Sequence, residues 1–556
     1  MTGDSSPDVI IVGGGPCGFV LANELGRRRV KTLLLSDRPG TSPHPQANAT
    51  QARTMEHYRR LGFADRVRAA GLPADYRPDV AYFTRLAGHE LARLEQPTSA
   101  QAAELARRHE GSWQVAELPH RCSQIYIEPI LREEAEKFET VTTMFDTKVT
   151  AVRDIADRVE VSAEHQDGTS RIYSAPYVVG ADGPRSQVRS DLGIKYAGMR
   201  DQDRPFMAGL MHSIYFRSAD MYSLLPHPQA WQYWVVNRER RGLMIALNGL
   251  DTFVYMSQLR PDEDPETMTD ADARAIIHQA LGAECDLEIL ARSPWAAGLA
   301  LVAERFGRGR VFLAGDAVHL FTPTGGLGYN TAVDDAVNLG WKLAAVVNGW
   351  ADDGLLATYE QERQPAASRN IGFARHFAES IGGFSVPVAI EDDSDAGREA
   401  REILGARLAD HARAEFNISG ITLGGRYDKS PIICSDGSQP PPDDPNMYVP
   451  TACPGGRAPH AWLADGQSLY DVLGPDFTLL HVAGDADLSP LERAAAAHAM
   501  PIAVVDVRDQ DLWSLYEANM VLIRPDQVVC WRGDELPAAP DALLRQIVSH
   551  GVPACS

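Results

Sequence analysis

Short apolar runs closed by glycine, followed by stretches with apolar positions three and four apart, set the rhythm of the N-terminal part of the chain. Asp8–Val12 is apolar, β-branched and ends in glycines, the pattern of a buried parallel strand. Phe19–Arg28 reads as an amphipathic helix and Lys31–Leu35 as the next strand. Thr41–Gly62 begins as a proline-interrupted loop and becomes a helix near Asn48–Thr50. Tyr76–Leu94 predicts a β-rich insertion and Thr98–His109 an alanine-rich exposed helix. Leu118–Leu131 predicts an apolar helix preceded by a candidate buried polar pair, Arg121 and Gln124. Asp146–Val161 and Arg171–Val179 alternate like strands and form a hairpin through the Asp167-Gly168 turn signal.

Residues 190–294 have a different texture, rich in aromatic and methionine side chains: Phe206, Met207, Met211, Tyr215, Phe216, Tyr222, Trp231, Tyr233 and Trp234. Trp231–Val236 and Leu243–Leu247 alternate as antiparallel strands, and the acidic turn Pro261–Glu266 precedes a helix over Asp270–Leu281. Arg310–Ala314 predicts a strand and Asn330–Gly349 a long helix. Acidic Glu391–Asp395 and proline-rich Ser435–Pro450 then break the pattern. From about Ile421 an α/β unit follows. Ser468–Leu473, Phe477–Val482, Ile502–Asp506 and Met520–Ile523 read as strands, Leu491–His498 and Pro540–Ser549 as helices. The pattern is similar to a thioredoxin-like module without a redox Cys-x-x-Cys.

Length and charge narrow the classes. A chain of 556 residues suggests about three domains. A net charge of −22 argues against a nucleic-acid partner or an anionic membrane surface. Seven scattered cysteines suggest neither a disulfide framework nor a metal site, and a reducing, cytoplasmic setting is expected. The first residues carry no signal-peptide pattern, and no run reaches the roughly 18 apolar residues of a membrane helix.

The chemistry is carried by two stretches about 300 residues apart. Gly13-x-Gly15-x-x-Gly18, with Pro16 and Cys17 inside it, follows a strand and opens a helix. Its glycines permit a tight turn, close approach of a pyrophosphate, and close helix–strand packing. The helix start offers unpaired amides to the phosphates. Arg310–Asn330, RVFLAGDAVHLFTPTGGLGYN, has the strand, loop and helix start that would hold the far end of the same cofactor, making the cofactor domain discontinuous. At the end of the second strand, where a ribose-binding acid is expected, stand Ser36 and then Asp37; either can bond the ribose, and Asp37 can equally cap a turn before Pro39. Arg53, Glu56, His57 and Arg60 lie three or four apart, so Arg53 can pair with Glu56, stack on His57, or contact a phosphate or flavin ring.

Three blocks in order, GGGPCG at Gly13–Gly18, GADGPRSQVR at Gly180–Arg189 and AGDAVHLFTPTGGLGYN at Ala314–Asn330, resemble the single-component FAD-dependent aromatic hydroxylases of the p-hydroxybenzoate hydroxylase fold. GGRYDKSP, PGGRAPHAWL and VLIRPDQVVCWR in the tail resemble the phenol hydroxylase and 2,4-dichlorophenol 6-monooxygenase branch, which carries a thioredoxin-like C-terminal domain. The resemblance implies an α/β (α+β overall) architecture of three units. The FAD domain is assigned residues 1–75, 110–190 and 295–380, an antiparallel-sheet substrate domain 76–109 and 191–294, a helical linker 381–420, and the C-terminal domain 421–556. Gly13, Gly15, Pro16, Cys17 and Gly18 would cradle the pyrophosphate. Gln46, Arg53, Arg121 and Gln124 would contact the cofactor, with Asp182 and Gly183 beside it and near the nicotinamide route. Gly315 and Asp316 would serve the ribityl chain. Gly326, Leu327, Gly328, Tyr329 and Asn330 would open the helix at the flavin's pyrimidine edge. Pro323 would border the dioxygen site, and Tyr215, Tyr222, Tyr233 or His319 would meet the substrate hydroxyl.

The implied reaction is hydroxylation of a phenol by dioxygen through a flavin hydroperoxide, with NADPH or NADH as transient reductant, in a homodimer. Asn48 stands where the phenol-hydroxylase branch has an Asp, and it cannot act as a base. Two other readings follow from the same residues: a flavin epoxidase or Baeyer–Villiger-type enzyme, and a non-catalytic FAD-binding protein.

Overall fold

The computed structural model describes residues 6–108, 112–200, 207 and 209–548. Phe206, Cys555, and the ends His109 and Ser549 of two predicted helices lie outside the described residues. Five sheets organise them. The first is six-stranded, in the order Gly307–Arg308, Val311–Leu313, Tyr177–Gly180, Val9–Val12, Thr32–Leu35, Val141–Met144, parallel apart from the edge hairpin. Its central strands are buried on both faces, which is why they read as unbroken apolar runs. Helix Pro16–Gly26 lies between this sheet and helix Leu327–Val347.

The second sheet is seven-stranded. Its order is Glu288–Ala297, Gly209–Arg217, Thr252–Gln258, Gly242–Ala246, Gln232–Val235, Val80–Phe83, Glu90–Leu94. It is antiparallel except where Gln232–Val235 runs parallel to Val80–Phe83, so the Tyr76–Leu94 insertion joins the aromatic middle of the chain in one layer. Tyr82 stacks on Trp234 and Phe83 on Tyr233 across that junction. The third unit is a four-stranded sheet, Ile502–Asp506, Phe477–His481, Met520–Ile523, Val529–Gly533, with one parallel and two antiparallel pairings. Phe477 meets Trp341 edge-on at 5.7 Å, which seats this unit on the far end of helix Leu327–Val347.

Several local expectations change. Asp146–Val161 is two strands, Thr147–Asp154 and Val159–His165, because residues 155–158 turn; the Asp167-Gly168 turn then joins the second to Ser170–Ala175. Ser468–Leu473 is a short helix, Leu469–Val472, since the Ser468 hydroxyl caps the Tyr470 amide. The segment assigned as a helical linker contains helix Asp395–Phe416, whose Leu404, Leu408 and Ala412 complete the core under the seven-stranded sheet. Among the described residues no helix is long and apolar enough to cross a membrane, and no group of His, Cys, Asp and Glu could hold a metal ion.

Charge is buried where the units meet. Glu24 pairs with Arg28 at 2.6 Å and with Arg60, and Arg28 reaches Asp476 of the C-terminal unit at 2.8 Å. Burial raises the Glu24 pKa, but the guanidinium groups of Arg60 and Arg28 outweigh it and hold the carboxyl at about 2, against 4.5 when unfolded. Its stabilisation is therefore complete above pH 4.5 and is lost as pH falls through 2, roughly 3 kcal/mol in all. Glu24→Gln is expected to destabilise the protein by about that much at pH 7 and by clearly less at pH 3 in denaturant unfolding; an equal loss at both pH values would dismiss the ion-pair account.

Candidate functional site

Strand register places the candidate residues along one edge. Val12 and Leu313 both align with Gly180, so the Gly13 turn, Ala181–Asp182 and Gly315–Asp316 leave the carboxyl end of the same parallel sheet together. Such an edge is where open α/β sheets bind ligands. Gly13 has φ of 118°, and a side chain on it would fall on the Ala181 carbonyl. A side chain on Gly18 would fall on the Gly13 carbonyl, so helix and strand approach only because both are glycine. Gly15 differs: the space before it is open as far as Arg38 Nη2, 3.5 Å from where a Cβ would stand. Helix Pro16–Gly26 starts there without a side-chain cap, leaving its first amides to a ligand. The arrangement is a cradle for a diphosphate.

Ser36 is buried beneath Gly14 and its hydroxyl accepts from the Arg38 amide at 3.3 Å, whereas Asp37 is exposed. The side chain that reaches the cradle is Arg38, which the sequence pattern did not single out. Gln124 begins helix Gln124–Glu136, exchanges bonds with Ala47, and donates to Glu128. Glu128 also takes the Ser42 amide at 2.6 Å and so ties down the loop that carries exposed Gln46. Arg121 does not pair with Gln124; it stacks on Trp231, 4.3 Å from the ring centroid.

Asp182 accepts the Val188 amide through one oxygen at 3.2 Å, and the other has no partner. Burial raises its pKa. Gly183 beside it is left-handed, with φ of 80°. Asp316 sits in the tight turn Gly315–Ala317, open to solvent at the crevice yet walled in by protein. That desolvation raises its pKa, with His319 opposing. The turn is held from behind. Asp335 takes the Gly315 amide at 3.1 Å and His319 Nε2 at 2.6 Å on one oxygen, and Arg363 Nε at 2.8 Å on the other. Cys17 fills the gap against Gly315 and Ala332.

Pro323 opens a turn through Gly325 (φ 70°) and Gly326 (φ 62°) into helix Leu327–Val347, which also starts without a side-chain cap. The start of this helix is thus left without a side-chain partner, an arrangement that suits an electron-rich edge. Asn330 is a clip: it accepts from the Gln51 amide at 2.8 Å and the Thr54 hydroxyl at 2.7 Å and donates to Ala49. Tyr329 is bonded to Tyr58. Glu415, on helix Asp395–Phe416, accepts the Gly325 amide at 2.8 Å and is paired with His411.

Two further expectations are corrected. His319 is fully buried against Asp335, so it positions the Gly315 turn and does not meet a substrate. Arg53 turns away to the C-terminal unit, bonding Gln527 at 2.7 Å and the Asp526 carbonyl at 2.5 Å; it also makes the expected ion pair with Glu56, at 3.2 Å. His57 pairs with Asp334, and burial keeps its imidazole neutral, at about 4. Among the aromatic candidates, Tyr222 Oη lies 2.9 Å from Tyr76 Oη, which donates to the Ala230 carbonyl at 2.6 Å. Tyr233 Oη accepts the Ala230 amide at 2.7 Å. Tyr215 stands edge-on to His44, whose Nε2 is 3.0 Å from Ser213 Oγ. His44 joins the flavin-side loop to the aromatic sheet, and burial lowers its pKa. Asp335, Glu415 and His44 were missed; the buried polar spacing Asp335, Asn338, Lys342 on an apolar helix was the one signal available.

Residues 6–374 match the family model of the FAD binding domain, and residues 451–550 match that of the aromatic-ring hydroxylase C-terminal region. The chain is 30% identical to a phenol 2-monooxygenase of Pseudomonas sp. (strain EST1001), covering 98% of this chain and 92% of the relative. It is also 30% identical to a 2,4-dichlorophenol 6-monooxygenase of Cupriavidus pinatubonensis, covering 96% and 94%. The rebeccamycin biosynthetic enzyme RebC with reduced flavin superimposes with a TM-score of 0.86 at 33% identity, covering 98% of this chain and 99% of that one. The flavin-dependent monooxygenase PieE, in complex with FAD and substrate, gives 0.86 at 28% identity over 98% and 99%.

Asp316→Ala is expected to purify with a reduced flavin-to-protein absorbance ratio and to regain absorbance when FAD is added. Full occupancy after purification would remove Asp316 from the ribityl position.

Proposed function

The chain belongs to the FAD-dependent aromatic-ring hydroxylases, and from that premise we propose how its own residues divide the work. The protein is a flavin monooxygenase acting on aromatic substrates. The observation that carries the assignment of roles is the convergence of the Gly13 turn, Asp182 and Asp316 on one sheet edge, beside an uncapped helix at Leu327. FAD supplies the oxygen-activating chemistry when bound. Gly13, Gly15 and Gly18 with Arg38 take the diphosphate, Asp316 the ribityl hydroxyls, and the Leu327 and Gly328 amides the pyrimidine edge. Those amides favour negative charge at that edge at no cost in reorganisation. A nicotinamide nucleotide, NADPH or NADH, is the reductant and visits transiently, since one dinucleotide turn serves the whole chain.

The substrate is a phenol held between the flavin loop and the aromatic face of the seven-stranded sheet. Tyr76 spends its proton on the Ala230 carbonyl, so Tyr222 donates to Tyr76 and keeps lone pairs to accept a substrate hydroxyl. Burial raises the pKa of both tyrosines, so the pair acts as neutral hydrogen-bonding groups that orient the ring. His44, neutral and half-buried, is the group that can accept the phenolic proton in place of Asn48. The strand order of the C-terminal unit supports the thioredoxin-like reading, and its side chains brace the flavin unit. We place the enzyme in the cytoplasm as a homodimer, on fold analogy.

The deciding test is NADPH and NADH oxidation across phenols and polycyclic aromatics, with products read by mass. Substrate-stimulated oxidation and one oxygen added on the ring are expected; oxygen inserted into a C–C bond or across C=C would replace this reading with the epoxidase or Baeyer–Villiger one. In the same assay Tyr222→Phe should lower coupling several-fold and release hydrogen peroxide, and unchanged coupling would take Tyr222 out of the site.

A further inference from the structure

A cavity of about 310 Å³ lies beneath helix Ser99–Arg108, bounded by Tyr76, Leu105, Trp113, His120, Arg121 and Phe416. Most of its wall is aromatic or aliphatic. It lies next to the flavin loop on two sides: the His120 backbone pairs with Thr50, whose neighbour Ala49 packs on Gly326, and Phe416 follows Glu415, which holds Gly325. Tyr76 in its wall is bonded to Tyr222.

Arg121 is the anomaly in this wall. It is 8% exposed, yet among the described residues no carboxylate pairs with it. Of its five N–H donors, one is used, to the Gln96 side chain at 2.8 Å, and Nη1 has no partner. Its planar faces are covered by Trp231 at 4.3 Å and Phe416 at 6.0 Å. The acid on the cavity rim, Glu95, is exposed and paired outward with Arg77 at 2.9 Å. His120 is uncharged, held at about 3 by burial and by Arg68 and Arg121, and its Nε2 also lacks a partner. Desolvation alone lowers the Arg121 pKa to about 10, which still leaves it charged at neutral pH. A buried cation with spare donors and no counter-ion is costly unless an anion completes it.

We propose that this cavity is a binding site for an aromatic acid, an arene bearing a carboxylate, whose anionic group pairs with Arg121. The rings around the cavity take the arene and the guanidinium fork takes the two oxygens. This names a ligand class for the hydroxylase described above and rests on that reading for the ligand's role in turnover, whereas the binding preference itself does not.

The test is titration of the FAD-loaded protein with 2-naphthoate and with 2-naphthamide, followed by tryptophan fluorescence in the absence of reductant. The acid is expected to bind about 10- to 100-fold more tightly than the amide. Arg121→Met should abolish the preference and leave the melting temperature unchanged or higher, because an uncompensated charge is removed. Leu105→Trp, filling the cavity from helix Ser99–Arg108, should weaken the acid at least tenfold. Equal affinities in the wild type, a preference that survives Arg121→Met, or undiminished acid binding in Leu105→Trp would overturn the site. If the acid is selected and its addition yields ring-hydroxylated acid, the site serves the substrate; if it is selected and only alters turnover of another phenol, it serves an effector. Selective binding with no oxidation of any arene would count against the catalytic reading while upholding the site.

Discussion

Helix Leu327–Val347 has to be buried almost on every side and still carry charge, and most of the architecture follows from how that conflict is met. Sixteen of its 21 residues are buried, among them Asn330, Asp335, Asn338 and Lys342. Each buried polar group needs a partner, and these four find theirs outside the helix, on three other parts of the chain. Asn330 secures the loop at Ala49–Gln51, Asp335 secures the Gly315 turn, and Asn338 and Lys342 meet Glu362 at 2.7 Å. One helix thus sets the spacing between the amides at its start, the Asp316 turn halfway along, and the C-terminal unit at its far end.

The Glu362 end is where that unit is anchored. Glu362 takes Arg524 on both oxygens, at 2.7 and 2.9 Å, and Arg524 also holds Asp526. The Glu362 carboxyl is held well below its usual range by Arg524 and Lys342 in spite of its burial, while desolvation brings Lys342 down to about 8. Two cations and two anions close the cluster, so its geometry matters more than its count. Asp526 and its neighbour Gln527 then hold Arg53, and Arg457 grips Glu56 on the same helix, Ala52–Leu61. The C-terminal unit therefore acts on the flavin crevice from behind, through the helix that follows Gln51. Among the described residues of this unit, Cys434, Cys453 and Cys530 are buried free thiols, and desolvation drives Cys530 away from the thiolate.

The crevice itself joins a polar rim to an aromatic wall. Donor-rich backbone lines one side, and the seven-stranded sheet, whose buried core stacks Tyr82 on Trp234, is joined to it through His44 and Ser213. His44 and Tyr222 are polar groups where loop and aromatic sheet meet, Arg121 lies in the neighbouring cavity, and His44 Nδ1 and Arg121 Nη1 are left unpaired.

Much of the frame was legible in the chain. The glycines at 13, 15 and 18, the apolar strands Val9–Val12 and Val311–Leu313, and helix Asp270–Leu281 are specified within a few neighbours, because a turn, a strand core or a capping box needs only local atoms. Local pattern failed where a single hydroxyl or turn decided the outcome, as at Ser468 and at residues 155–158. It could not reach the partners. That Arg53 leaves the cofactor for Asp526, that His319 is sealed by Asp335, that Glu415 crosses from a supposed linker to Gly325, and that Arg121 is left without a counter-ion all depend on packing between residues 16 or more positions apart. The chain by itself determined the cofactor class and the strands that carry it, since those rest on backbone conformation. Which side chains face the crevice, and which are spent holding it together, was decided only by the packing that brought their partners within reach.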